Sequence, residues 1–196
     1  NVYRHMQDDY DFPVVIHGYP GNGKSHLALH LLETWYRVIL QQPVTEDMVS
    51  QISQSYNEWL KQFKKIGPYD MNVFDEGSRD LDSLDFMTKI SKDLKKLADV
   101  FRCKKFFWVV VLPSYFRLNK ALREDRIRCL IWVNKRGEYK VYSKFGLEFL
   151  NALNERRSRK TMYVARPIHN GSFSEYKGVL RKPYEEQKEG GVDEVL

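Results

Sequence analysis

The chain has 196 residues, 42% hydrophobic and 14% aromatic, which supplies apolar surface for one domain with a real core. Two cysteines, Cys103 and Cys129, are too few for a disulfide framework and lie in or beside apolar runs, so reduced buried thiols and a cytoplasmic setting are expected. The net charge of +6 is uneven: residues 102–182 carry 20 basic against 6 acidic side chains, whereas 1–101 carry 11 against 15 and 183–196 carry 1 against 5. A basic stretch of that density favours a polyanionic partner, with DNA the first expectation, because each neutralised phosphate releases a counterion. The longest apolar run, Phe106 to Pro113, is far short of the roughly 20 residues that cross a bilayer, so no membrane segment is visible.

Residues 1–12 are polar, acidic and aromatic without periodicity and read as an N-terminal arm. A first strand is predicted at Pro13–His17, followed by a glycine-rich turn and, from Lys24, apolar positions that suit a helix to about Leu40, ended by Pro43. Thr45 can cap a second helix, in which Met48, Ile52, Tyr56, Trp59 and Phe63 form one stripe up to Gly67-Pro68. A short strand at Met71–Phe74 runs into Asp75-Glu76, and a third helix is predicted from about Ser83 to Phe101. Phe106–Leu112 is continuously apolar, as a central strand covered on both faces would be. Cys129–Val133 and Tyr139–Val141-Tyr142, joined by Lys135-Arg136-Gly137, read as a β-hairpin, and Phe145–Leu153 as a helix. Residues 13–153 thus form the main domain, and 154–196 a basic extension whose acidic, glycine-containing tail beyond Pro183 is expected to be disordered.

The chemistry concentrates at Gly18-Tyr19-Pro20-Gly21-Asn22-Gly23-Lys24-Ser25, a full G-x-x-x-x-G-K-S pattern between a strand and a helix. Glycines let backbone N–H groups wrap phosphates, Lys24 reaches the β- and γ-phosphates, and Ser25 offers a ligand to magnesium. The expected cofactors are therefore ATP and Mg2+, held by Gly18, Pro20, Gly21, Asn22, Gly23, Lys24, Ser25 and His26. Asp75 at a strand end is the expected second metal residue, and Glu76 the group that orients the attacking water. Ser114, at the end of the next strand, is the candidate sensor of the γ-phosphate. Arg126 and Arg128, with Arg123 and Arg102 behind them, are candidate arginines supplied to a neighbouring subunit's nucleotide. The five histidines are not grouped at metal-ligand spacing, so no second metal is assigned.

With Gly18–Ser25, Phe74-Asp75-Glu76-Gly77, Arg102 ahead of Phe106–Ser114, and Arg126-Ile127-Arg128 before the last core strand, the chain resembles small P-loop ATPases of phages and mobile elements. It looks most like zonular-occludens-toxin-like proteins and the HerA/FtsK group of DNA motors, over residues 13–143. The resemblance implies an α/β fold with a RecA-like core, a mainly parallel sheet flanked by helices and ending in the hairpin. It also implies ATP hydrolysis in a homo-oligomer with sites between subunits, and DNA translocation or packaging as the task. Gly23–Ala28 also resembles helicase loaders of the DnaC and IstB type, which makes an ATP-controlled adaptor with a protein partner the alternative. A metabolite kinase would not need the basic stretch, and a membrane-associated assembly protein would need an anchor that this sequence does not display.

Overall fold

A computed structural model describes residues 2–8, 10–75, 105–118, 120–154 and 165–193. The phosphate-loop strand β1 (Phe12–Gly18) lies at the centre of a sheet that has seven strands among the described residues. The order is β2 (Ile52–Ser53), β3 (Met71–Asp75), β4 (Phe107–Leu112), β1, β5 (Cys129–Lys135), β6 (Glu138–Ser143) and β7 (His169–Ser172). The first five in this order run parallel, and β6 and β7 are antiparallel additions.

Alternation along the strands feeds two cores. Val14, Ile16, Val73, Val109, Val111 and Val133 face helix α2 (Lys24–Thr34), packing with Leu27, Leu29 and Leu32. Val15, Phe74, Trp108, Val110, Leu130 and Trp132 pack with Tyr56 and Trp59 of α3 (Tyr56–Lys65) and Leu147 and Leu150 of α4 (Lys144–Asn154). All six residues of β4 are buried, as its unbroken apolar sequence requires, and each fully buried aliphatic side chain contributes about 1.5–3 kcal/mol. At the amino edge, the Asp11 carboxylate accepts from Trp108 Nε1 at 2.8 Å and from Arg126 at 3.0 Å, which supplies the pairing that a buried carboxylate needs.

Four departures from the sequence reading bear on the site. The N-terminal arm contains a helix, α1 (Val2–Gln7), whose Met6 is fully buried and whose Tyr3 meets Trp35 and Tyr69. The single helix expected after Thr45 is three elements: a 3-10 turn (Glu46–Gln51), strand β2, and α3. Thr45 makes no side-chain cap to a longer helix; Ser55 caps α3, accepting from the Glu58 N–H at 3.3 Å, so the helix begins at Tyr56, about two turns beyond Met48 at the start of its apolar stripe. The tail expected to be disordered forms helix α5 (Arg181–Asp193). Pro183 does not end structure there but sits in the first turn, where a missing N–H costs nothing. The described part of the extension is also tied to the main domain, with β7 paired on β6 and Tyr176, Leu180 and Tyr184 buried against α2's core. The helix expected from Ser83 lies outside the described residues.

Candidate nucleotide-binding site

The carboxyl ends of the parallel strands, where open α/β sheets bind ligands, carry the loop predicted from the sequence. Gly18 ends β1 opposite Val133, and a Cβ placed on Gly18 would lie 2.4 Å from the Val133 carbonyl oxygen, so only glycine allows this approach. Asn22 pins the turn to the same carbonyl, Nδ2 donating to Val133 O at 3.0 Å. Gly23, at φ +89, occupies the N-cap of α2, which therefore has no side-chain cap and no acidic residue in its first turn. First-turn N–H groups left uncapped favour an anion. The Lys24 ammonium donates to the Tyr19 carbonyl at 3.1 Å and so stays over the loop. Charge and backbone geometry both fit a polyphosphate.

Asp75 ends β3 with only 4% of its surface exposed. The Tyr184 hydroxyl of α5 donates to its Oδ2 at 2.5 Å, and Ser25 lies close enough to act on the same hydroxyl. Residues 50 positions apart in sequence, Ser25 and Asp75, thus come to the neighbourhood of one hydroxyl. A hydroxyl and a carboxylate are hard oxygen donors of the kind that suits magnesium. Burial, then the Asp75 charge, pushes the Tyr184 phenol far above its ordinary range, so it is a neutral donor here. Ser114 is half-buried two residues beyond β4, which lies between β1 and β3, and its side chain does not cap the turn that follows. Glu76 lies outside the described residues.

The arginines are placed differently. Arg126 and Arg128 precede β5 and lie at the amino edge of the sheet, away from the loop of their own chain: the Arg128 N–H donates to Pro13 O at 3.0 Å, and Arg126 pairs with Asp11 at 3.0 Å. Arg123 turns inward, donating to Leu118 O at 3.0 Å and to Asn151 Oδ1 at 2.9 Å, with its guanidinium over the rings of Tyr115 and Phe116. At 9% exposure it is a structural residue, and its candidacy as a supplied arginine is withdrawn. Arg102 is outside the described residues.

Two residues near the loop escaped the sequence reading. Tyr184 had a legible signal, the spacing Tyr176, Leu180, Tyr184, but strong local charge hid it. His17 is buried beside Trp132, ring centroids 6.2 Å apart, and its Nε2 has no hydrogen-bond partner. Burial, then the Lys24 ammonium, lowers its pKa from 6.5 to about 3. The unfolded chain takes up this proton below about pH 6.5 and the folded chain does not, so stability present above that pH is lost as the pH falls, by up to about 1.4 kcal/mol per unit. Urea midpoints of wild type and His17→Phe between pH 6.5 and 5 test this: the variant's profile is expected to be flatter, and parallel profiles would refute the assignment. No cluster of potential metal ligands of the His/Cys/Asp/Glu type occurs among the described residues. Cys129 is a free thiol, its pKa pushed up to about 12 by burial.

A mainly parallel sheet with helices on both faces, with β4 inserted between the loop strand β1 and the Asp75 strand β3, defines a RecA-like α/β architecture. No protein-family model matches the sequence, and no curated protein matches it. Among solved structures, the chain is similar to the N-terminal domain of zonular occludens toxin from Neisseria meningitidis, at 16% identity and a TM-score of 0.45, over 90% of this chain and 98% of that one. The fold assignment rests on the strand order. No helix among the described residues is long and apolar enough to cross a membrane.

Proposed function

We propose that this chain binds magnesium ATP at Gly18–Ser25, hydrolyses it, and uses the cycle to act on DNA as an oligomeric motor. The observation that carries the reading is the convergence of Lys24, Ser25 and Asp75 at the carboxyl edge of one sheet, with the Tyr184 hydroxyl bonded to Asp75 and close to Ser25. Uncapped α2 N–H groups and Lys24 bind the phosphates, while Ser25 and Asp75 hold the metal, Asp75 through its water shell. Bound magnesium supplies charge neutralisation on the β- and γ-phosphates. Glu76 accepts a hydrogen bond from the attacking water and holds it in line, Ser114 reports the γ-phosphate, and an arginine of a neighbouring copy, Arg126 or Arg128, stabilises charge as the bond breaks. For Arg126 that role requires release from Asp11, so Arg128 is the stronger of the two.

The DNA part rests on the net +14 of residues 102–182, on Lys135 and Arg136 exposed at the β5–β6 turn, and on Phe145 and Phe149, 81% and 45% exposed four residues apart on α4. Exposed rings and basic groups on one chain suit sequence-independent contact with a strand. Between 50 and 200 mM salt, DNA affinity is expected to fall about a hundredfold, the response of about four neutralised phosphates. Fluorescence anisotropy with a labelled oligonucleotide measures this, and a flat salt profile would remove these residues as phosphate contacts. The decisive experiment for the motor is turnover and solution mass with ATP, each with and without DNA. If DNA changes neither, the motor reading is wrong; turnover that responds to a protein partner instead would favour the adaptor suggested by Gly23–Ala28.

A further inference from the structure

Tyr184 belongs to no part of the machinery above, yet its hydroxyl is bonded to one residue assigned to the metal and lies near the other. It is 6% exposed, donates to Asp75 Oδ2 at 2.5 Å, and is close enough to Ser25 to be influenced by it. Magnesium in this position demands near-octahedral oxygen at about 2.0–2.1 Å and keeps several waters. A phenol hydroxyl that donates to Asp75 Oδ2 takes up the carboxylate oxygen that the metal's water shell would engage. We propose that α5 is an intramolecular plug of the metal site, with the Tyr184 hydroxyl holding the gap between Ser25 and Asp75 until a metal-bound nucleotide displaces it and loosens the helix. This rests on the nucleotide-site reading above.

The neighbouring chain agrees. The segment leading to α5 crosses the site: Phe173 faces Gly23, where a Cβ would be 3.3 Å from its ring, and the Ser174 carbonyl is 3.0 Å from His30 Nε2. Among the described residues, further polar ties of α5 to the rest of the chain are Gln187 Nε2 donating to Ile52 O at 2.9 Å and Arg181 pairing with Glu175 at 2.7 Å at the surface. The surface pair adds little, so detaching the helix costs mainly the burial of Leu180 and Tyr184, the Gln187 bond and the Tyr184 contact with Asp75.

The test compares wild type, Tyr184→Phe, Gln187→Ala and Lys24→Ala by binding of a fluorescent ATP analogue across a magnesium titration and in EDTA. Hydrogen exchange of residues 181–193 is followed in parallel. Tyr184→Phe keeps the ring and removes only the competing oxygen, so half-saturation is expected at about three- to tenfold less magnesium, with affinity in EDTA unchanged. Gln187→Ala, which loosens the helix without touching the site, is expected to shift in the same direction. In wild type, α5 amides are expected to exchange at least about tenfold faster once magnesium and a non-hydrolysable analogue are present. A higher magnesium requirement in Tyr184→Phe would make Tyr184 a positioning residue for Asp75 and overturn the plug. Unchanged requirements in both variants, or stronger α5 protection on loading, would overturn it too and leave the nucleotide site standing. If wild type and both α5 variants bind no nucleotide under any condition, the nucleotide reading fails and the plug falls with it.

Discussion

Replacing Lys24 by alanine is expected to lower ATP affinity at least about a hundredfold, whereas Glu76→Gln is expected to leave affinity within about threefold and cut turnover by about 10²–10⁴. The contrast follows from what each group does in the proposed cycle. Lys24 is a fixed positive charge at the start of α2, held over the loop by the Tyr19 carbonyl, and it meets the phosphates in ground and transition states alike. Its loss therefore appears in binding. The glutamate acts only on water that is about to attack, so its amide analogue keeps shape and hydrogen bonding to the site and loses the ability to accept the proton. Binding of a fluorescent ATP analogue and phosphate release, measured on the same preparations, separate the two. Equal loss of binding in both variants would remove Glu76 from the water-activating role; normal binding in Lys24→Ala would remove the phosphate loop itself.

Gly18→Ala is expected to destabilise the fold by about 2–5 kcal/mol as well as spoil the loop. The added methyl would meet the Val133 carbonyl oxygen at 2.4 Å. That atom is backbone in a paired strand, and it also accepts the Asn22 side chain, so it cannot swing aside as a side-chain end could. Relief requires β1 and β5 to separate where the sheet is fully covered, with Ile16 and Val133 at zero exposure. Denaturant unfolding reads the loss directly. A midpoint within about 0.5 kcal/mol of wild type would mean that the loop can be re-seated without this close contact.

The parts of this molecule that local chemistry dictates were legible in its sequence. Gly18–Ser25 announces itself because a phosphate cradle needs those residue types in that order, and β4 because an uninterrupted apolar run is stable only when covered twice. Asp75 was found from its position at the end of a short apolar strand. Strand β2 was not, because two residues are too few for a period, and Met48, Ile52, Tyr56 and Trp59 imitate a helical stripe across the break at Ser53–Ser55. Helix α5 was hidden by its own charge and by Pro183, which can open a helix as well as follow one. The Tyr184 contact with Asp75 spans 109 positions, and no neighbouring residue signals it. Arg123 was misjudged for a related reason: an arginine whose charge is spent on a carbonyl, an amide and two rings looks, in sequence, like one facing water.

The two margins of the sheet limit how copies of this chain can meet. On one side β2 is only two residues long, and on the other β7 is the polar His169-Asn170-Gly171-Ser172, with three of its four residues exposed. Neither offers the long, flat ladder of open amides and carbonyls on which another molecule's strand could continue the sheet. Among the described residues, self-association by strand addition is thus discouraged at both rims, and a ring built from this chain is expected to close through loops and helix faces. Those surfaces can slide and tilt between nucleotide states, as a seamless β-sheet could not.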